Sequence, residues 1–144
     1  MSHVQTIAAG LLTAMMSGSV LADDTFSMIG TWKGLSNSTV MGAATHHQMG
    51  QSAEQIKFVR TEFTLVVDAQ EGQNFAGQLS SALGKEVVLG ALTADRKSGV
   101  MVDNDGIIRF ELHSENQFEH CYAHAPESSN QHTGVAACVL FTRQ

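Results

Sequence analysis

Histidine is the side chain with chemical potential that this sequence supplies most freely, with seven in 144 residues. An imidazole can ligate a metal, move a proton or respond to pH near neutrality. His46 and His47 are adjacent, His120 and His124 lie four apart, and His113 and His132 stand nearby in the sequence. A zinc or copper site needs three or four N, O or S donors at about 2.0–2.3 Å. On a strand, residues four apart are separated by about 13 Å, so His120 and His124 do not chelate one ion together. A metal site would require His46 or His47 to fold over and meet His124. These three are the weak metal candidates, and no resident metal or other cofactor is expected.

The remaining reactive groups point away from catalysis. Cys121 and Cys138 are the two cysteines; paired with each other they leave no thiol nucleophile. Cys-x-x-Cys, the usual redox spacing, is absent. No Gly-x-Ser-x-Gly elbow and no phosphate-cradling glycine loop occurs. Glu111 and Glu119 could be drawn as a carboxylate pair, but any acidic sheet offers such pairs. Asp103-Asn104-Asp105-Gly106 opens like a calcium loop and lacks the later ligands of one, so it reads as a hairpin turn. An enzyme is not expected.

The elements that must position these groups are short and extended. Apolar stretches broken by turn residues fall at Thr31–Val40, Phe58–Asp68, Phe75–Ser80, Glu86–Thr93, Val100–Asp103, Ile107–His113, Gln117–His124 and Val135–Thr142. Asp105-Gly106 between two apolar runs is a hairpin signal, since both residue types tolerate positive φ. Eight such stretches at regular spacing predict an all-β protein, an eight-stranded antiparallel up-and-down barrel built as a meander. A weak helix pattern covers Ser52–Lys57. The polar segment Gly42–Gln55 reads either as a surface connection or as a lid over one barrel end.

Residues 1–22 read as a signal peptide, leaving 23–144 as one domain. That leader carries no Asp, Glu, Lys or Arg, has an apolar run from Ile7 to Met16, and ends Val20-Leu21-Ala22 before Asp23-Asp24. The run is too short to span a bilayer. A periplasmic or secreted destination follows, and it suits a disulfide. With 14 acidic against 8 basic residues, a net charge of -6 and no basic run, nucleic acid and anionic membrane are unsuitable partners.

The cysteines supply a register. If Cys121 faces Cys138 across the last hairpin, the turn falls between Ser129 and Asn130, where the composition is most polar. Side chains alternate faces along a strand. Phe118, His120, Tyr122 and His124 then share one face with Val135, Ala137, Val139 and Phe141. That face is the more apolar, so it is the expected interior, with the disulfide outside.

Gly30-Thr31-Trp32-Lys33-Gly34 at the first strand and Phe141-Thr142-Arg143 at the last resemble the calycin pattern of lipocalins, fatty-acid-binding proteins and avidins. The resemblance implies that Arg143 packs over Trp32 and closes one barrel end, a cation–π contact that seals apolar surface. Glu71-Gly72-Gln73-Asn74-Phe75-Ala76-Gly77 is similar to the avidin Gly-x-Phe-x-Gly hairpin. With Trp32 as the sole tryptophan, biotin is not implied. Haem is not implied either, because Leu35–Met41 lacks the glycines and Tyr-Pro of haem barrels. The chain is also similar to small secreted proteobacterial proteins that share these marks, the Asp103–Gly106 turn and a late cysteine pair.

The leading functional expectation is an exported binder of a small hydrophobic molecule, held by Trp32, Phe118, His120 and Tyr122. Two alternatives stand beside it. One is a periplasmic interaction or inhibitor protein that works through a loop. The other is a metal or haem binder using the loop histidines. An interior filled by large side chains would favour the partner-binding alternative over the ligand.

Overall fold

The computed structural model describes residues 26–42, 56–104, 106–124 and 134–144. Eight strands, β1 (Gly30–Met41), β2 (Ile56–Glu71), β3 (Asn74–Ser80), β4 (Lys85–Leu92), β5 (Ser98–Val102), β6 (Ile107–Ser114), β7 (Gln117–His124) and β8 (Gly134–Arg143), follow one another in chain order. Each pairs antiparallel with its sequence neighbour, and β8 pairs with β1 to close the barrel. Closure gives every strand of the sheet two neighbours. Among the described residues there is no helix, so none is long and apolar enough to cross a membrane. The leader at residues 1–22, His46, His47 and His132 lie outside the described residues.

Alternation of side chains turns sequence into layers. Stacking the pairings of β2, β1, β8 and β7 gives successive inward rows. From one end these rows read Leu65–Trp32, Phe63–Gly34–Phe141–Phe118, Thr61–Ser36–Val139–His120 and Val59–Ser38–Ala137–Tyr122. Lys57–Val40–Val135–His124 forms the last row, at the opposite end. The first two rows are aromatic, and the next two carry hydroxyls and small side chains on β1, β2 and β8.

The core follows that division. Trp32, Leu65, Phe75, Phe110, Phe118 and Phe141 belong to one buried cluster at the Trp32 end. Val40, Val135 and Ala137 form a smaller one towards the other end, with Tyr122 touching both. Glycines make room for rings on neighbouring strands. Gly90 pairs with Phe75 and Gly99 with Phe110. A Cβ at either position would lie 2.1 and 2.4 Å from the facing ring. Each ring therefore lies over the backbone across from it, an arrangement that also pins the register.

Cys121 and Cys138 are directly paired on β7 and β8 and joined by a disulfide of sequence separation 17. Both are exposed, while Phe118, His120, Val135, Ala137, Val139 and Phe141 are buried on the opposite face. Constraining the unfolded chain by a loop of this length contributes about 3 kcal/mol. Replacing both cysteines by serine should lower unfolding free energy by about that amount, measured by urea titration at fixed pH, with the denaturant slope reporting any change in the unfolded state.

One local expectation is corrected. Ile56 and Lys57, expected within a short helix, belong to β2 and pair with Met41 and Val40. The alternation that runs on from Phe58 extends the ladder to them, and strand pairing overrides a weak helical pattern. The hairpin expected at Asp105-Gly106 does join β5 to β6, where Val102 pairs with Ile107. Gly106 also makes room for a ring, since a Cβ there would sit 2.0 Å from that of Tyr122.

Candidate functional site

One barrel end is sealed. Residues 26–29 cross beneath the strands, and side chains capture the carbonyl of each one in turn. Gln70 Nε2 donates to Phe26 O at 2.9 Å. Arg143 donates to Ser27 O at 2.6 Å and to Ile29 O at 2.5 Å. Trp32 Nε1 donates to Met28 O at 2.8 Å, and the Met28 N–H returns a bond to Gln70 Oε1 at 2.7 Å. The Arg143 guanidinium carbon stands 4.0 Å from the centre of the Trp32 ring, so one side chain holds the strap and covers the indole. Met28, fully buried, plugs the end. Neither Met28 nor Gln70 stood out in the sequence. Met28 precedes the first strand, and Gln70 lies beyond the expected end of the second at Asp68.

Above this plug the interior is solid with rings. Trp32 meets Phe118 edge to face at 5.0 Å, Phe118 stacks on Phe141 at 5.1 Å, and Phe110 lies 5.9 Å from both Phe75 and Phe118. Trp32 and Phe118 have no exposed surface at all. Of the four expected ligand contacts, these two form the floor.

His120 stands on the boundary. Its ring is 5.0 Å from that of Phe141 and 6.5 Å from that of Phe118, and the residue is 3% exposed. Its Nδ1 is buried and makes no hydrogen bond among the described residues. Burial drives the imidazole pKa down to about 3, because the charged form would lose its hydration with nothing to replace it. The ring is therefore neutral at physiological pH. Buried polar atoms are nearly always satisfied, so an orphan of this kind requires a reason.

The inward rows beyond His120 carry different side chains. Ser36 and Ser38, both buried on β1, share a hydrogen bond of 2.8 Å between their hydroxyls. Thr61, Val59, Ala137 and Tyr122 complete the two rows. Tyr122 is partly buried and leans over Gly106. His124 also faces inward, two rows beyond His120 on β7, with Lys57 in the same row on β2. No group of three or more His, Cys, Asp or Glu side chains suited to a metal ion occurs among the described residues. Glu111 and Glu119 are directly paired, but both lie exposed on the outer wall. The Ser36–Ser38 pair went unnoticed in the sequence, although their spacing of two was the available signal.

The wall itself is uneven. β2 has 16 residues and β5 only five. β2 pairs with β1 from Ile56 onward but with β3 only from Thr64. A groove of about 760 Å³ runs along this step, lined by Val59–Glu62, Thr64 and Ser80–Leu83.

No known protein family matches this sequence, and no curated protein is significantly similar to it. Among solved structures the barrel is similar to the S-type phycobiliprotein lyase CPES from Guillardia theta. The identity is 10% and the TM-score 0.39, over 81% of this chain and 88% of that one. A likeness of that strength carries no argument about function.

Proposed function

We propose that this protein is an exported binder of a small, largely hydrophobic molecule. The ligand lies in the half of the barrel beyond the aromatic floor, against His120 and Tyr122. The observation that carries this reading is the His120 Nδ1 atom, buried and without a hydrogen-bond partner among the described residues, above an end of the barrel closed by rings. A bound molecule that hydrogen-bonds this nitrogen removes the cost of leaving it unsatisfied, about 1–3 kcal/mol. The neighbouring rows favour an apolar body with one or two polar atoms, because Ser36, Ser38 and Thr61 supply hydroxyls among Val59 and Ala137. The leader-like residues 1–22 and the exposed disulfide support export to an oxidising compartment. The calycin resemblance of Trp32 and Arg143 supports a barrel closed at one end and loaded from the other.

Native mass spectrometry of the mature protein from its own cell envelope tests this. The expected result is a small molecule retained at one per chain. His120→Phe should weaken its binding ~10-fold, the value of one buried hydrogen bond, and raise the stability of the empty protein. A protein that is empty on isolation, and whose affinity for every ligand tried is indifferent to His120, would reject the reading and favour a loop-borne interaction with another protein.

A further inference from the structure

We infer that the step in the barrel wall is a pairing edge for a second copy of this chain, giving a two-fold dimer centred on Val59. The inference stands apart from the ligand-binding proposal and rests on backbone geometry. Ser80 Oγ donates to the Thr64 carbonyl at 3.2 Å, so the Thr64 backbone faces β3. Backbone N–H and C=O groups alternate sides along a strand. Those of Phe58, Arg60 and Glu62 therefore face the same way, beyond the point where β3 ends, and no strand among the described residues pairs with them. An edge of seven residues, Ile56–Glu62, is about 23 Å long. Such an edge is a template for another strand.

The occupant follows from what the edge carries. Phe58 is 84% exposed and Ile56 61%, the two most exposed large hydrophobic residues described. Antiparallel pairing of this edge with itself is confined between the start of β2 and the turn that joins β3 to β4, which centres it by placing Val59 opposite Val59 of the second copy. In that register Phe58 stands opposite Arg60 and Ile56 opposite Glu62. The Phe58 ring gains a guanidinium across the strand, a cation–π contact, and the apolar surface of Ile56 is covered. Phe58 and Arg60 exchange backbone hydrogen bonds in both directions, while Val59 occupies a non-hydrogen-bonded site, where opposed Cα atoms come within about 4.5 Å. Two-fold self-complementarity of this kind closes at a dimer and does not propagate.

Cysteine trapping on the full-length mature chain, together with sedimentation, tests the register. V59C should form an intermolecular disulfide under mild oxidation, because opposed residues at that spacing satisfy disulfide geometry. T61C, on the same face but off the axis, should crosslink ~10-fold less. Phe58→Lys, a charge on the pairing edge, should raise the dimer dissociation constant ~10-fold or more. Far-UV circular dichroism checks that each variant keeps the barrel. Dimers that trap through V59C and dissociate with Phe58→Lys support the proposal. A protein that sediments as a monomer at every concentration would overturn it, as would equal trapping of V59C and T61C. Monomer behaviour combined with capture of an extended peptide along β2 would assign the edge to a different protein.

Discussion

Trp32→Ala should lower the free energy of unfolding by about 3–5 kcal/mol, the range for deleting a large buried aromatic side chain. Burial is only part of the reason. The indole has no exposed surface, donates its N–H to Met28 O, meets Phe118 edge to face, and lies beneath the Arg143 guanidinium. Its loss opens a cavity below Phe118, orphans the Met28 carbonyl, and removes the surface on which Arg143 rests while it holds residues 27 and 29. Trp32 is the sole tryptophan, so unfolding is best followed by far-UV circular dichroism in urea. A near-neutral result would refute the role of Trp32 as the closing residue. Arg143→Lys should give a smaller loss, because an ammonium cannot bridge two carbonyls and cover a ring at once.

Acid should destabilise the protein through one residue before the bulk of the carboxylates titrate. His120 has a folded-state pKa of about 3 against an ordinary value of 6.5. Between those values the unfolded chain binds a proton that the folded chain refuses, so stability falls as pH falls. The full contribution is present above pH 6.5 and is lost progressively towards pH 3. The slope approaches about 1.4 kcal/mol per pH unit while the unfolded histidine is protonated and the folded one is neutral. Denaturant titrations of the wild-type protein and of His120→Phe between pH 6.5 and 4.5 isolate the effect, because the carboxylates are common to both. The slopes should differ by nearly that amount. Equal slopes would show that the folded interior stabilises an imidazolium. A retained ligand that hydrogen-bonds Nδ1 would also oppose protonation, so ligand-free protein is the proper sample.

Much of the architecture is legible in the residues because strand physics is local. The apolar stretches with their turn residues map onto all eight strands. The last hairpin yields its register from a single assumption, that Cys121 faces Cys138, since a fixed pair assigns every other side chain to a face. Boundaries were less legible. β2 runs from Ile56 to Glu71 because its partner β1 continues to Met41, and no window of β2's own sequence contains that fact. The same holds for the Tyr122 ring that lies against the Gly106 backbone, a contact the turn signal at that position does not contain.

Short-range choices are written in the residues themselves: all-β, eight strands, one cysteine pair on the outer face, and His120 and Tyr122 on the inner one. Alternation and turn chemistry act between neighbours in the chain, so they can be read there. Only the tertiary structure decided the contacts between residues distant in sequence. It placed Met28 under the barrel, brought Gln70 and Arg143 to the same strap, and set Trp32 and Phe118 in the floor. It also left the Nδ1 atom of His120 without a hydrogen-bond partner among the described residues and let β2 outrun β3. These depend on how eight strands of unequal length close on one another, which is a property of the assembled sheet and of no single segment.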